Sequence, residues 1–307
     1  MKKTLKRIAV GVAALSVLCA VPFMAGCDSS HPEAQITISY DGTEYVLNYK
    51  LYRNMYPQTV QHFIELADAG FYNNTIIHSY ESSYFYGGGY SYNIEGYESD
   101  YATDYEEGEG AMREYFEANS KENAYYQMYL NNQLTPSVAR DWTEDRGYID
   151  WLPTVIGEVG ETHVIQNGAL TGGFGALRMY YSDKDLDYVQ EQAEKAGKPA
   201  SVEVYIDKQD SPDGICVNYE QHSATSMFSI QTSTSSGSSD YCIFGQLIET
   251  DSLTELTSAI SEGSTLSVRN VTIDNYDQIT SGYITNTDEY TVTSIPIIVV
   301  SVEITKY

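Results

Sequence analysis

The stretch from Tyr56 to His78 constrains the fold of this chain more than any other. Pro57 suits the first position of a helix, where a missing N–H costs nothing. Val60, Phe63, Ile64 and Ala67 follow at i, i+3, i+4 and i+7, one apolar helical face. Gly70 ends that helix as a C-terminal cap. Thr75-Ile76-Ile77-His78 is rich in β-branched residues and predicts a buried strand. Upstream, Ile36 to Tyr40, then Asp41-Gly42, then Tyr45-Val46-Leu47 form a hairpin signal. The chain therefore opens as hairpin, helix and strand.

The N-terminus reads as an export signal. A basic head (Lys2, Lys3, Lys6, Arg7) precedes an apolar run from Ile8 to Phe23 and then Met24-Ala25-Gly26-Cys27. The run is shorter than the ~20 residues of a spanning helix. Ala-Gly-Cys resembles the lipobox of bacterial lipoproteins, whose cysteine is acylated and becomes the new N-terminus. That resemblance implies a signal peptide over 1–26, lipidation at Cys27, a tether over 27–34 and a location outside the cytoplasmic membrane. One domain is expected over 35–307.

Charge narrows the partners. The chain carries 43 acidic and 17 basic side chains, and loss of the leader takes four of the basic ones. Nucleic acid, which rewards phosphate neutralisation, is excluded as a partner class on that balance. Of the four cysteines, Cys19 leaves with the leader and Cys27 is the lipid site. Cys216 and Cys242 remain; a disulfide between them and two separately buried thiols both fit. The five histidines (31, 62, 78, 163, 222) show no ligand spacing, so no metal is expected. Gly172-Gly173-Phe174-Gly175 lacks the strand-then-helix setting of a phosphate loop, and no cofactor is expected.

Further along, tyrosines crowd residues 80–105 among Gly, Ser, Glu and Asp, a composition that suits a binding surface bordering a groove. The chain holds 29 Tyr in all, so background composition is the competing explanation. Helices are expected over 109–134, over 184–196 and from Asp251 to Gly263. Ile295 to Ile304 is expected to be a late strand.

Four later segments match one family in its own order. Tyr84-Phe85-Tyr86-Gly87-Gly88-Gly89 is similar to F-M-I-Q-G-G, and Gly175-Ala176-Leu177-Arg178-Met179 to G-A-L-S-M. Ser223 to Ile230 is similar to S-A-x-S-Q-F-F-I, and Tyr241 to Ile248 to the strand ending in V-F-G-x-V. With the opening block, these resemble the cyclophilin-type peptidyl-prolyl cis-trans isomerases. The resemblance implies a mainly β fold: a closed antiparallel barrel with capping helices, here carrying insertions near 91–153 and 182–221. It implies prolyl isomerisation, and proline-containing peptides or exported client proteins as partners.

The resemblance also marks a site, and this chain departs from it there. The family's catalytic arginine follows the histidine; here Ser79 follows His78. Gly87 stands for a glutamine, Met227 for another, and Ser229 for the phenylalanine that floors the proline pocket. Tyr84 and Phe85 keep bulk where the family has Phe and Met. Tyr180 and Tyr181 replace small or polar backbone-binding residues, and Tyr241 keeps an aromatic at the start of its strand. Arg178 takes a small serine's place. It either turns outward to a surface carboxylate, the favoured reading, or threads the volume vacated at Ser229 to set its guanidinium near Ser79. Serine cannot copy a guanidinium donor. The expected function is a lipid-anchored isomerase-like protein of weak activity that assists exported proteins, with a non-catalytic peptide- or partner-binding module as the alternative.

Overall fold

The computed structural model describes residues 31–81, 83–94, 100–121, 155–157, 172–179, 201–208, 211–224, 226–235, 242–277 and 282–307, with single residues at 124, 128 and 170. The elements, in chain order, begin with β1 (Glu33–Tyr40), β2 (Thr43–Leu51), α1 (Pro57–Asp68), β3 (Thr75–Ile76), β4 (Ser79–Glu81) and β5 (Tyr84–Gly87). Next come α2 (Tyr101–Glu107), α3 (Glu109–Ala118), β6 (Val155–Gly157), β7 (Leu177–Met179), β8 (Ser201–Lys208), β9 (Ser211–Ala224) and β10 (Phe228–Gln231). The last are β11 (Cys242–Leu247), α4 (Asp251–Gly263), β12 (Leu266–Asp277), β13 (Gly282–Thr293) and β14 (Ile297–Lys306).

Nine strands form one antiparallel sheet in the order β3-β14-β1-β2-β11-β7-β10-β5-β4. Its two edge strands are consecutive in the chain, separated only by Ile77 and His78. Ile77 N–H donates to the Ile297 carbonyl and His78 N–H to the Tyr86 carbonyl. One bent segment therefore holds both edges of a strongly curled sheet. The mainly β architecture expected from the sequence, an antiparallel sheet with accompanying helices, is what forms.

Local sequence explains the opening elements. Asp41 and Gly42 both have positive φ (47° and 76°), which a two-residue hairpin turn needs to match strand twist. Pro57 opens α1, and Gly70 at φ 68° follows it. Val60, Phe63, Ile64 and Ala67 are all buried, and they pack into the same core as Ile36, Ile38, Leu47, Phe228 and Phe244.

Two additions flank this core. The long hairpin β12–β13 pairs in continuous register from Leu266↔Thr293 to Asp277↔Gly282. It meets α3, and a second core gathers Ile76, Tyr90, Tyr101, Met112, Tyr115, Phe116, Val271, Tyr290 and Val292. The other addition is a three-stranded sheet, β6-β9-β8. The helix expected over 109–134 is shorter: α3 ends at Ala118, where Asn119 Nδ2 donates to the Tyr115 carbonyl and Ser120 bridges back to Tyr90. The helix expected over 184–196, and the leader with Cys27, lie outside the described residues. Among the described residues, no helix is long and apolar enough to cross a membrane.

Candidate active site

Strand register decides which side chains share a face. Phe85, Ile230 and Leu177 pair across β5, β10 and β7 and all belong to the main core. The next row, Ser79, Tyr86, Ser229, Arg178 and Ile243, crosses β4, β5, β10, β7 and β11 and faces the other way. Tyr84, two residues from Tyr86, shares that outer face. The sequence-level site is thus split: Phe85 is a core residue with no exposure, because pleating turns it away from Tyr84.

Arg178 is only 3% exposed. Its guanidinium carbon lies 4.7 Å from the centre of the Tyr84 ring. The path from β7 to β5 crosses β10 at Ser229, where a bulky side chain would block it. The favoured sequence reading had Arg178 turned out to a surface carboxylate; the side chain lies on the outer face of the sheet but is covered rather than exposed. The alternative set the guanidinium near Ser79; the structure shows it stacked on the Tyr84 ring. Three strand spacings, roughly 14 Å, separate the backbones of Arg178 and Ser79.

Ser79 is itself covered, at 2% exposure. Its Oγ accepts from the Thr291 N–H of β13 at 3.0 Å. His78, beside it, is wedged between Tyr90 and Tyr290, with ring centres 4.9 and 5.0 Å away. Burial pushes the His78 imidazole down to about 3, so it stays neutral, as packing and not as a proton carrier. The Tyr90 and Tyr290 hydroxyls are 2.6 Å apart. Burial raises the Tyr290 phenol well above its usual range, so the pair is held by a neutral hydrogen bond.

Gly87 cannot serve a substrate through a side chain. A Cβ there would lie 2.8 Å from Ile77 Cδ1 and 3.0 Å from Phe228 Cζ. Gly88, at φ 82°, has its carbonyl held by Ser226 Oγ at 2.8 Å, which fixes the turn after β5. Met227 is half-buried against Gly89. Tyr180, Tyr181 and Tyr241 lie outside the described residues.

The tyrosine-rich stretch is largely structural. The Tyr101 hydroxyl donates to the Thr293 carbonyl at 2.7 Å, and the Tyr105 hydroxyl to the Thr265 carbonyl at 3.1 Å. Tyr80, Tyr84, Tyr86 and Tyr92 stay half-buried, while Tyr90 and Tyr101 are buried, and Tyr101 and Tyr105 join α2 to the base of the hairpin. Their amphipathic side chains bury a ring and still satisfy a hydroxyl. Cys242 is a buried thiol with Sγ 3.5 Å from Thr59 Oγ1. Of the two sequence alternatives, the thiol at Cys242 is the separately buried one and not the disulfide; the Cys216 side chain lies outside the described residues.

A family model described as cyclophilin type peptidyl-prolyl cis-trans isomerase/CLD matches residues 35–281. The chain belongs to the cyclophilin-type isomerase family. Solved cyclophilins align along most of its length. A Cryptosporidium parvum cyclophilin type peptidyl-prolyl cis-trans isomerase, determined in the presence of the dipeptide Ala-Pro, has 15% identity and TM-score 0.37, covering 90% of this chain and 99% of its own. A second structure of it has 14% identity and TM-score 0.38 with the same coverage. The Mimivirus cyclophilin has 12% identity and TM-score 0.35, covering 87% and 92%. No curated protein matches the chain.

Set in this cyclophilin frame, the hairpin β12–β13 is the element that sequence reading missed. Its signal was present: β-branched and aromatic residues run through Val268, Val271, Ile273, Tyr290 and Val292. Residues Thr291 and Tyr290, which cover Ser79 and His78, belong to it.

Proposed function

We propose that this chain is a lipid-anchored, extracytoplasmic cyclophilin that handles proline-containing segments of exported proteins, with isomerisation far below that of an arginine-bearing site. One observation carries the reading: at the arginine position stands a buried Ser79 whose Oγ is engaged by Thr291 N–H. Turning an X–Pro bond crosses a barrier of about 18–20 kcal/mol. Enzymes lower it with a donor that bonds more strongly in the twisted state than in the ground state. Ser79 offers no guanidinium, and the Arg178 guanidinium lies over Tyr84 instead.

The anchoring part of this reading rests on the basic head, the short apolar run and Ala25-Gly26-Cys27. The deciding experiment is isomerisation of a proline tetrapeptide by the purified mature chain. The expected rate is barely above the uncatalysed one. A saturable rate that is abolished by Arg178→Ala would overturn the weak-site reading and make Arg178 the donor.

The second reading is a binding module without catalysis. It is favoured by a well-packed frame, since α1, β5, β7, β10 and β11 share one core while the polar groups that the family resemblance leads one to expect are replaced. Peptide binding with no detectable turnover separates it from the first.

A further inference from the structure

We infer that hairpin β12–β13 is an autoinhibitory strap seated in the chain's own substrate groove; this rests on the proline-handling reading above. Three observations place β13 over Ser79 and His78. β13 runs beside the edge strand β4, and Thr291 N–H donates to Ser79 Oγ. Tyr290 packs its ring on His78 and bonds Tyr90. Thr291 pairs with Val268 across the ribbon, yet its N–H points out of the ribbon to β4, as the backbone of a bound extended segment would.

The strap is built as an attachment. Among the described residues, none of the hairpin's belongs to the main core, whose members come from 34–85, 177–260 and 297–302. Its base is closed by two hydrogen bonds, Thr265 N–H to Ser294 Oγ at 3.0 Å and Ser294 N–H to the Thr265 carbonyl at 2.9 Å. It is held down by the second core and by polar links to the α2–α3 addition: Tyr101 to Thr293, and Arg269 Nη2 to the Tyr105 carbonyl at 3.3 Å. Two additions distant in sequence thus clamp one groove. A proline segment gains access when β13 lifts, so affinity is reduced by the fraction of molecules that are closed.

The test compares two mature chains binding a tetrapeptide with a central Ala-Pro bond, measured by calorimetry. One is intact. In the other, residues 266–293 are replaced by two glycines between Thr265 and Ser294, which are already neighbours. The strapless chain should bind at least about tenfold more tightly, the factor that follows when one molecule in ten is open. In the intact chain, Thr291→Pro removes the outward N–H that bonds Ser79 Oγ, fixes φ at that position and replaces the threonine side chain, all of which loosen β13 from β4. It should tighten binding in the same direction, which keeps the test decisive if the strapless chain does not fold. Equal affinity in intact and altered chains overturns the strap and leaves proline handling standing. Absence of binding in all of them overturns both.

Discussion

Placing arginine back at position 79 should be costly in the intact chain. Ser79 is 2% exposed beneath β13, and its Oγ is the acceptor for Thr291 N–H. Ser79→Arg removes that acceptor, and a buried donor left unmet costs about 1–3 kcal/mol. Forcing a long side chain under a packed strand adds about 1–3 kcal/mol. The sum, about 2–6 kcal/mol, corresponds to a fall in Tm of roughly 5–20 °C for a domain of this size. Ser79→Ala, which loses only the acceptor, should fall by the smaller part alone. Scanning calorimetry gives both values, and amide exchange along 282–293 reports whether the hairpin has lifted. A Ser79→Arg chain as stable as the parent, with β13 amides still protected, would refute the reasoning: position 79 would then open to solvent space rather than to the hairpin.

Four further outcomes are expected. His78 is neutral in the fold with its pKa lowered to about 3 by burial, whereas the unfolded chain takes up a proton below about 6.5. Stability should therefore be full above pH 6.5 and fall by about 1.4 kcal/mol per pH unit below it; urea titrations at several pH values check this, and His78→Phe should flatten the slope. Tyr101→Phe should cost about 1 kcal/mol for the lost bond to Thr293 and speed amide exchange in the hairpin, with a parent-like exchange pattern counting against the clamp. Arg178→Ala should leave the low isomerisation rate unchanged, because its guanidinium is stacked on the Tyr84 ring; a sharp loss of rate would reverse that assignment. Cys27→Ala should release the protein from membranes or leave the leader uncut, and unchanged fractionation with an unmodified native N-terminus would sink the anchor.

The sequence by itself determined the frame. Helix α1 and the Asp41-Gly42 turn are written in short-range periodicity and turn chemistry, which act over a few residues, whereas β5, β7, β10 and β11 were legible through the family resemblance of their segments. It also showed that the arginine is missing, since that is a matter of residue identity at Ser79. Tertiary structure alone decided what replaced it. Thr291 lies 212 residues from Ser79, and no local pattern reports that contact. The direction of Arg178 depended on strand register, because a one-residue shift would have turned it into the core with Leu177. The same holds for the tyrosines. Their composition suits a binding face or a buried interface equally, and only the arrival of the hairpin against α2 and α3 took Tyr90, Tyr101 and Tyr115 out of water.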